Sequence, residues 1–260
     1  MPVRRWHARR RAVTVRAEAG VSRARGSRTR FLPYLPFCLF ACWAVPAHAE
    51  LGATVSVFND LQFRGYSLSD GRPVATLDFA YDDPSGFYAG ASATGVLREG
   101  GEPAPLGFQL NGGYAKRLKS GTTLDFGIIH SSYSHYSRGD HGESYTEAYA
   151  GVSRGGLSSR IYLSPHYFAP GAWSAYGEVN GVVSPTPKWN IEGHVGLHVP
   201  LRTPPADDYR TEVDWRIGVS RQIGRLSLHA AWTDGAPGND YYRGHEHSRS
   251  ALVIGASMVL

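Results

Sequence analysis

The stretch KWNIEGHVGLHV, Lys188 to Val199, decides the fold, because its alternate residues divide by polarity. One series runs Trp189, Ile191, Gly193, Val195, Leu197, Val199; the other runs Lys188, Asn190, Glu192, His194, Gly196, His198. A period of two describes a β-strand with one apolar and one polar face. In a soluble sandwich the apolar face turns toward a core. In a membrane barrel it turns toward lipid, and the polar face lines the interior.

The rest of the chain chooses between these. Alternating segments fill residues 52–62, 72–82, 86–96, 106–117, 121–133, 143–154, 157–167, 173–184, 188–199, 209–222, 225–234 and 249–260, and no segment has helical periodicity. Twelve strands of this length suit a tilted membrane strand of about 9–11 residues better than the roughly 5–6 usual in soluble domains. The connections also sort by parity. Those after even-numbered strands are tight, as in Asp83-Pro84-Ser85, Leu118-Lys119-Ser120, Gly155-Gly156, Pro185-Thr186-Pro187 and Ile223-Gly224. Those after odd-numbered strands are mostly longer and more polar, as in LREGGEPAP (97–105), SHYSRGDHG (134–142) and GAPGNDYYRGHEHS (235–248). Short turns on one rim and long loops on the other, with an even strand number, are the pattern of an outer-membrane barrel. A sandwich has no reason to sort its loops this way.

The faces agree. In 209–222, Tyr209, Thr211, Val213, Trp215, Ile217 and Val219 oppose Arg210, Glu212, Asp214, Arg216, Gly218 and Ser220; in 225–234, Leu226, Leu228, Ala230 and Trp232 oppose Ser227, His229, Ala231 and Thr233. Outward Phe87, Tyr114 and Trp189 fall near the short-turn rim, and Trp173, Tyr209 and Trp232 near the other, as aromatic girdles do; Trp215 falls mid-strand and fits neither. The last strand, RSALVIGASMVL, sets Leu252, Ile254, Ala256, Met258 and Leu260 on one face. It is placed like the assembly signal of outer-membrane proteins, although that signal usually ends in an aromatic residue and this one ends in Leu260.

Residues 1–49 have the composition of a cleaved signal peptide, leaving 50–260 as the barrel. Residues 1–30 hold ten arginines and one acid, residues 31–45 are an apolar core too short to span a bilayer, and Ala47-His48-Ala49 supplies the cleavage site. The basic region is long enough that a start further along, at Val13, Val15 or Val21, also fits. A competing reading takes Leu39-Phe40-Ala41-Cys42 as a lipoprotein box, with bulky Phe40 against it. Without the leader, 27 basic and 22 acidic residues become 17 and 21, a net charge of −4, so the basic isoelectric point implies no nucleic-acid partner. Both cysteines, Cys38 and Cys42, leave with it, and with them any disulfide framework.

FNDLQFRGYSLSDGRPVATLDFAYDDPSGFYAG (58–90), with its F-R-G-x-S-x-S-D-G-x-P and G-F-Y-x-G elements, resembles the opening of the TorF family of porins. WSAYGEVNG (173–181) and DDYRTEVDWRIGVSR (207–221) are similar to later segments of that family, so the resemblance covers roughly 52–240. It implies an outer-membrane β-barrel with a channel role, and brings no substrate or catalytic residue.

By parity the interior receives Asp78, Asp125, Glu147, Glu178, Glu192, Glu212 and Asp214 with Arg160, Arg210 and Arg216, seven acids to three bases, together with His194 and His198. Hydrated charges of one prevailing sign in a lumen set ion preference, whereas paired ones brace the wall. His194 and His198 share a face but lie about 13 Å apart along a strand, too far to hold one ion together. His135, His141, His245 and His247 fall in long loops, where solvated histidines are the plainer reading and cation binding the sharper one. HSSYSHYS (130–137) sets Ser131 and Ser132 near His135, but neither a G-x-S-x-G elbow nor an HExxH motif accompanies it, so no enzyme is expected. Arg64 and Asp70 sit where the first strand passes into its connection. Asp70-Gly71 is a turn signal, and a place in a constriction is the functional alternative.

The expectation is therefore an all-β, transmembrane, antiparallel up-and-down barrel of about twelve strands in a Gram-negative outer membrane. It would be inserted by the barrel-insertion machinery, surrounded by lipid and free of cofactors, and would pass small solutes or ions through a narrow, mildly cation-preferring pore. A non-conducting barrel with a structural or ligand-binding role through its long loops is the alternative.

Overall fold

The computed structural model describes residues 49–134, 143–168, 171–202, 211–235 and 250–260. The expected leader lies outside them, save Ala49, as do Tyr209, Arg210, His135, His141, His245 and His247. The strands are β1 (Glu50–Phe58), β2 (Gln62–Phe63), β3 (Tyr66–Ser67), β4 (Val74–Asp82), β5 (Phe87–Leu97), β6 (Pro103–Arg117), β7 (Thr123–Tyr133), β8 (Glu143–Arg154), β9 (Leu157–Ser164), β10 (Trp173–Thr186), β11 (Trp189–Arg202), β12 (Glu212–Ile223), β13 (Leu226–Gly235) and β14 (Ala251–Val259). All but β2 and β3 join edge to edge, each antiparallel to its neighbours in chain order, and β1 pairs with β14 to close the barrel. Closure removes the free edges of the wall, which lipid could not solvate.

The tight turns after β4, β6, β8, β10 and β12 share one rim with the chain ends of β1 and β14. In the first of them the side-chain hydroxyl and then the amide of Ser85 bond to Asp83, holding that carboxyl below the usual carboxylate range. Strands β1, β5, β7, β9, β11 and β13 end at the other rim, called here the outer rim.

The alternation resolves as a polar interior and an apolar exterior. Along β12, Asp214 is 5 % exposed and Ile217 is 57 % exposed. Outward Ile128, Ile161, Val195, Ile217 and Ile254 belong to a continuous apolar belt, the kind of surface that a bilayer covers. Phe87 and Tyr114 pair across β5 and β6 with ring centroids 5.1 Å apart, and the Arg221 guanidinium lies 5.2 Å from the Trp189 ring, both on the short-turn rim. Trp173 and Trp232 are exposed toward the outer rim. Trp215, expected at mid-strand, pairs with Asp234 near the outer end of β13, so it lies closer to the outer girdle than its sequence position suggests.

Three departures from the sequence expectation bear on what fills the barrel. The first strand, read as 52–62, leaves the wall after Phe58, where Asn59 bonds through its side chain to Leu252 O and Ile254 N of β14 (3.0 and 2.7 Å) and releases the following chain into the barrel. The seventh, read to residue 167, stops at Ser164, and Tyr167 and Phe168 turn inward. A register shift between Thr94 and Gly95 of β5, opposite Pro105 and Gly107 of β6, changes which parity faces inward, so that Leu106 is buried while Phe108 is exposed.

Candidate functional site: the barrel interior and its hairpin

Two short strands inside the barrel organise its lumen. In the hairpin of β2 and β3, Gln62 pairs with Ser67 and Phe63 with Tyr66, which leaves Arg64-Gly65 as a two-residue turn. Both have positive φ, 46° and 81°, as a type I′ turn requires. Glycine takes that conformation freely; arginine adopts it against steric preference. At Gly65 a side chain also has no room, since a Cβ would lie 2.8 Å from Gly235 Cα in the opposite wall.

Asp60 anchors the base of the hairpin. It accepts hydrogen bonds from Ser67 Oγ, from Ser69 Oγ (2.7 Å), from the Gly71 amide (3.2 Å) and from the Gln62 side chain. Asp70 and Gly71, at φ 61° and 70°, supply the reversal that brings that amide back. Leu61 and Phe58 add apolar contact with Val74, Val96, Ala104 and Leu106 of β4, β5 and β6.

From this base the tip reaches across the lumen. Arg64 donates through both terminal nitrogens to Glu147 of β8, at 3.0 and 2.7 Å, and its guanidinium carbon stands 3.9 Å from the centre of the Tyr176 ring on β10. Tyr66 donates its hydroxyl to Glu212 of β12, and Phe63 approaches Tyr133 and Tyr145 of β7 and β8. A charge-assisted fork lying on an aromatic face is a strong and directional contact once water is excluded, and here both partners are buried.

The wall that receives the tip is densely cross-linked. Arg160 donates to Asp125 at 3.0 and 2.6 Å; Asp125 also accepts from Tyr88, whose hydroxyl is bonded to that of Tyr149. Tyr162 donates to Glu178 (3.0 Å), and Glu178 stands opposite Arg160 in the ladder. His194 bonds to Asp214 (2.9 Å) and Asn180 (2.7 Å), and Tyr176 donates to Asp214 (3.0 Å). Glu192 accepts from Ser220 (3.0 Å), and the His198 ring lies 4.8 Å from that of Tyr167.

The facing wall is built differently. Ser56, Thr76 and Thr94 stand side by side across β1, β4 and β5, as do Thr54, Asp78, Ser92, Gln109 and Ser131 across β1, β4, β5, β6 and β7. These small polar side chains leave space, and an internal cavity of about 230 Å³ lies between them, the hairpin and the aromatic wall.

The inward parity places Asp78, Asp125, Glu147, Arg160, Glu178, Glu192, His194, His198, Glu212, Asp214 and Arg216 inside the barrel, as the burial of each and the pairing of their strands show. Asp78, Glu147, Glu178, His194, Asp214 and Arg216 line the cavity. Arg64 lines it as well; Asp70 does not. Ser131 is inward and accepts from Gln109 Nε2 (3.0 Å), whereas His130 is outward and bonded to Thr146. The sequence reading missed Asp60, the inward course of β2 and β3, and Tyr167 with Phe168. Only the Asp-x₆-Ser-x-Ser-x-Gly run from Asp60 to Gly71 offered a signal for the hairpin.

The family described as "Bacterial protein of unknown function (Gcw_chp)" matches residues 44–257. The chain belongs to the Gcw_chp family. The match takes in the hairpin and all of the barrel except the last two residues of β14; the description it carries is Gcw_chp, not the TorF name suggested by residues 58–90. Among curated proteins no relative matches. Among solved structures the chain is similar to the NanC porin, with a TM-score of 0.56 and 10 % identity over 80 % of this chain and 100 % of that one. It is also similar to the KdgM porin, with a TM-score of 0.50 and 8 % identity over 79 % and 98 %. At such identity the likeness is one of fold, that of the closed antiparallel barrel.

Proposed function

We propose that the protein is an outer-membrane channel for passive diffusion of small solutes or ions, narrowed by the β2–β3 hairpin and mildly cation-preferring. The observation that carries this reading is the segregation of faces: apolar side chains outside, carboxylates, arginines and hydroxyls around a cavity inside. Eight-stranded barrels are filled by side chains and those of sixteen or more hold wide channels; twelve strands leave room for a passage that one inward connection can constrict. The inward acids named above outnumber the inward arginines, which favours cations in a confined, hydrated lumen. Residues 1–49 act as the export signal, β14 supports recognition by the insertion machinery, and the apolar belt meets outer-membrane lipid.

A second reading has a specific observation behind it. The hairpin touches both sides of the lumen, so a barrel that stays closed and serves a structural or binding role would use the same contacts. Single-channel recording in planar bilayers separates the two. The channel reading expects small, discrete conductance steps and a reversal potential displaced toward the cation equilibrium. No conductance, or an anion-selective reversal potential, contradicts it.

A further inference from the structure

The cavity is lined by several carboxylates, and their surroundings differ. Glu147 is neutralised by Arg64; Asp214 is bonded to His194 and Tyr176; Glu178 faces Arg160 across the ladder and takes the Tyr162 hydroxyl; Asp60 is enclosed by the hairpin's own donors. Asp78 stands apart. Its direct ladder neighbours are Thr54 of β1 and Ser92 of β5, both uncharged, and among the described residues no basic side chain forms an ion pair with it. It lies on the hydroxyl wall, where Ser56, Thr76, Thr94 and Gln109 leave the cavity open.

We propose that Asp78 is the residue that sets the ion preference of the channel, with the permeant cation passing along the hydroxyl wall between the hairpin and β1, β4, β5 and β6. A carboxylate already matched by a guanidinium adds little net potential to the lumen, while an unmatched one in a confined, hydrated passage with low-dielectric walls leaves a focused net field on a passing ion. Hydroxyl and amide oxygens beside it can replace part of a cation's hydration shell, as oxygen-lined filters do. This inference rests on the channel reading, and the test keeps the two apart.

Reversal potentials under a salt gradient would be measured for the wild-type protein, D78N, D78S and the double variant D125N/R160M, which removes a matched pair and leaves the net charge of the lumen unchanged, each first shown to have heat-modifiable gel mobility. The cation-to-anion permeability ratio is expected to fall by about twofold or more in D78N and D78S, with single-channel steps retained, and to change much less in D125N/R160M. A ratio unchanged in both Asp78 variants, or lowered as much by D125N/R160M, overturns the inference while leaving the channel intact. A second readout needs no current. In S92C the cysteine beside Asp78 should react faster with a cationic than with an anionic methanethiosulfonate reagent, and that bias should shrink several-fold in S92C/D78N. An unchanged bias counts against Asp78 even if the wild-type protein proves silent, an outcome that by itself contradicts only the proposed function.

Discussion

At the scale of single residues, Arg64 and Glu147 are the pair on which the interior turns. Both are buried and joined by a two-pronged contact, so removing one partner strands a charge rather than merely deleting a bond. E147Q is expected to lower the unfolding free energy by about 3 kcal/mol, and R64M/E147Q by less than the sum of its single variants. Urea unfolding in lipid vesicles followed by tryptophan fluorescence measures both. Strict additivity would mean that the fork contributes nothing specific. Little of this was legible in advance. Alternation along 143–154 was enough to turn Glu147 inward, because parity is a local property of the strand. Its partner lies 83 residues away, in a segment that the same alternation read as wall and connection.

At the scale of the element, the hairpin shows where periodicity stops being informative. Two residues per strand are too few to display a pattern, and the turn between them carries arginine where asparagine or aspartate would have announced it. Asp70-Gly71 was readable as a turn because its residues suit positive φ; its service to Asp60 needed the fold. The same holds for β9, whose apparent continuation through Tyr167 becomes an inward loop held by rings and not by a ladder. Gly65 offers a direct test of the constriction. Valine there meets both an unfavourable φ and the backbone of Gly235, so G65V is expected to displace the tip, destabilise the barrel by about 1–3 kcal/mol and raise single-channel conductance. Wild-type conductance in a folded G65V barrel would show that the hairpin does not limit the passage.

At the scale of the whole molecule, the account depends on which way the two faces look. Closure, strand number and the sorting of connections by rim were legible because each follows from long strands with a strict period of two and from turn chemistry that is local. What fills the lumen was not, because packing between distant strands leaves no periodic trace. The most direct test of orientation places single cysteines at Val195 and Ile217, and at Thr94 and Gln109, labels each with an environment-sensitive fluorophore and reconstitutes the protein in vesicles containing brominated lipid. The labels at Val195 and Ile217 should be strongly quenched, and those at Thr94 and Gln109 should be spared. Equal quenching at all four sites, or quenching confined to Thr94 and Gln109, would contradict a barrel with its apolar side in lipid and its polar side around water.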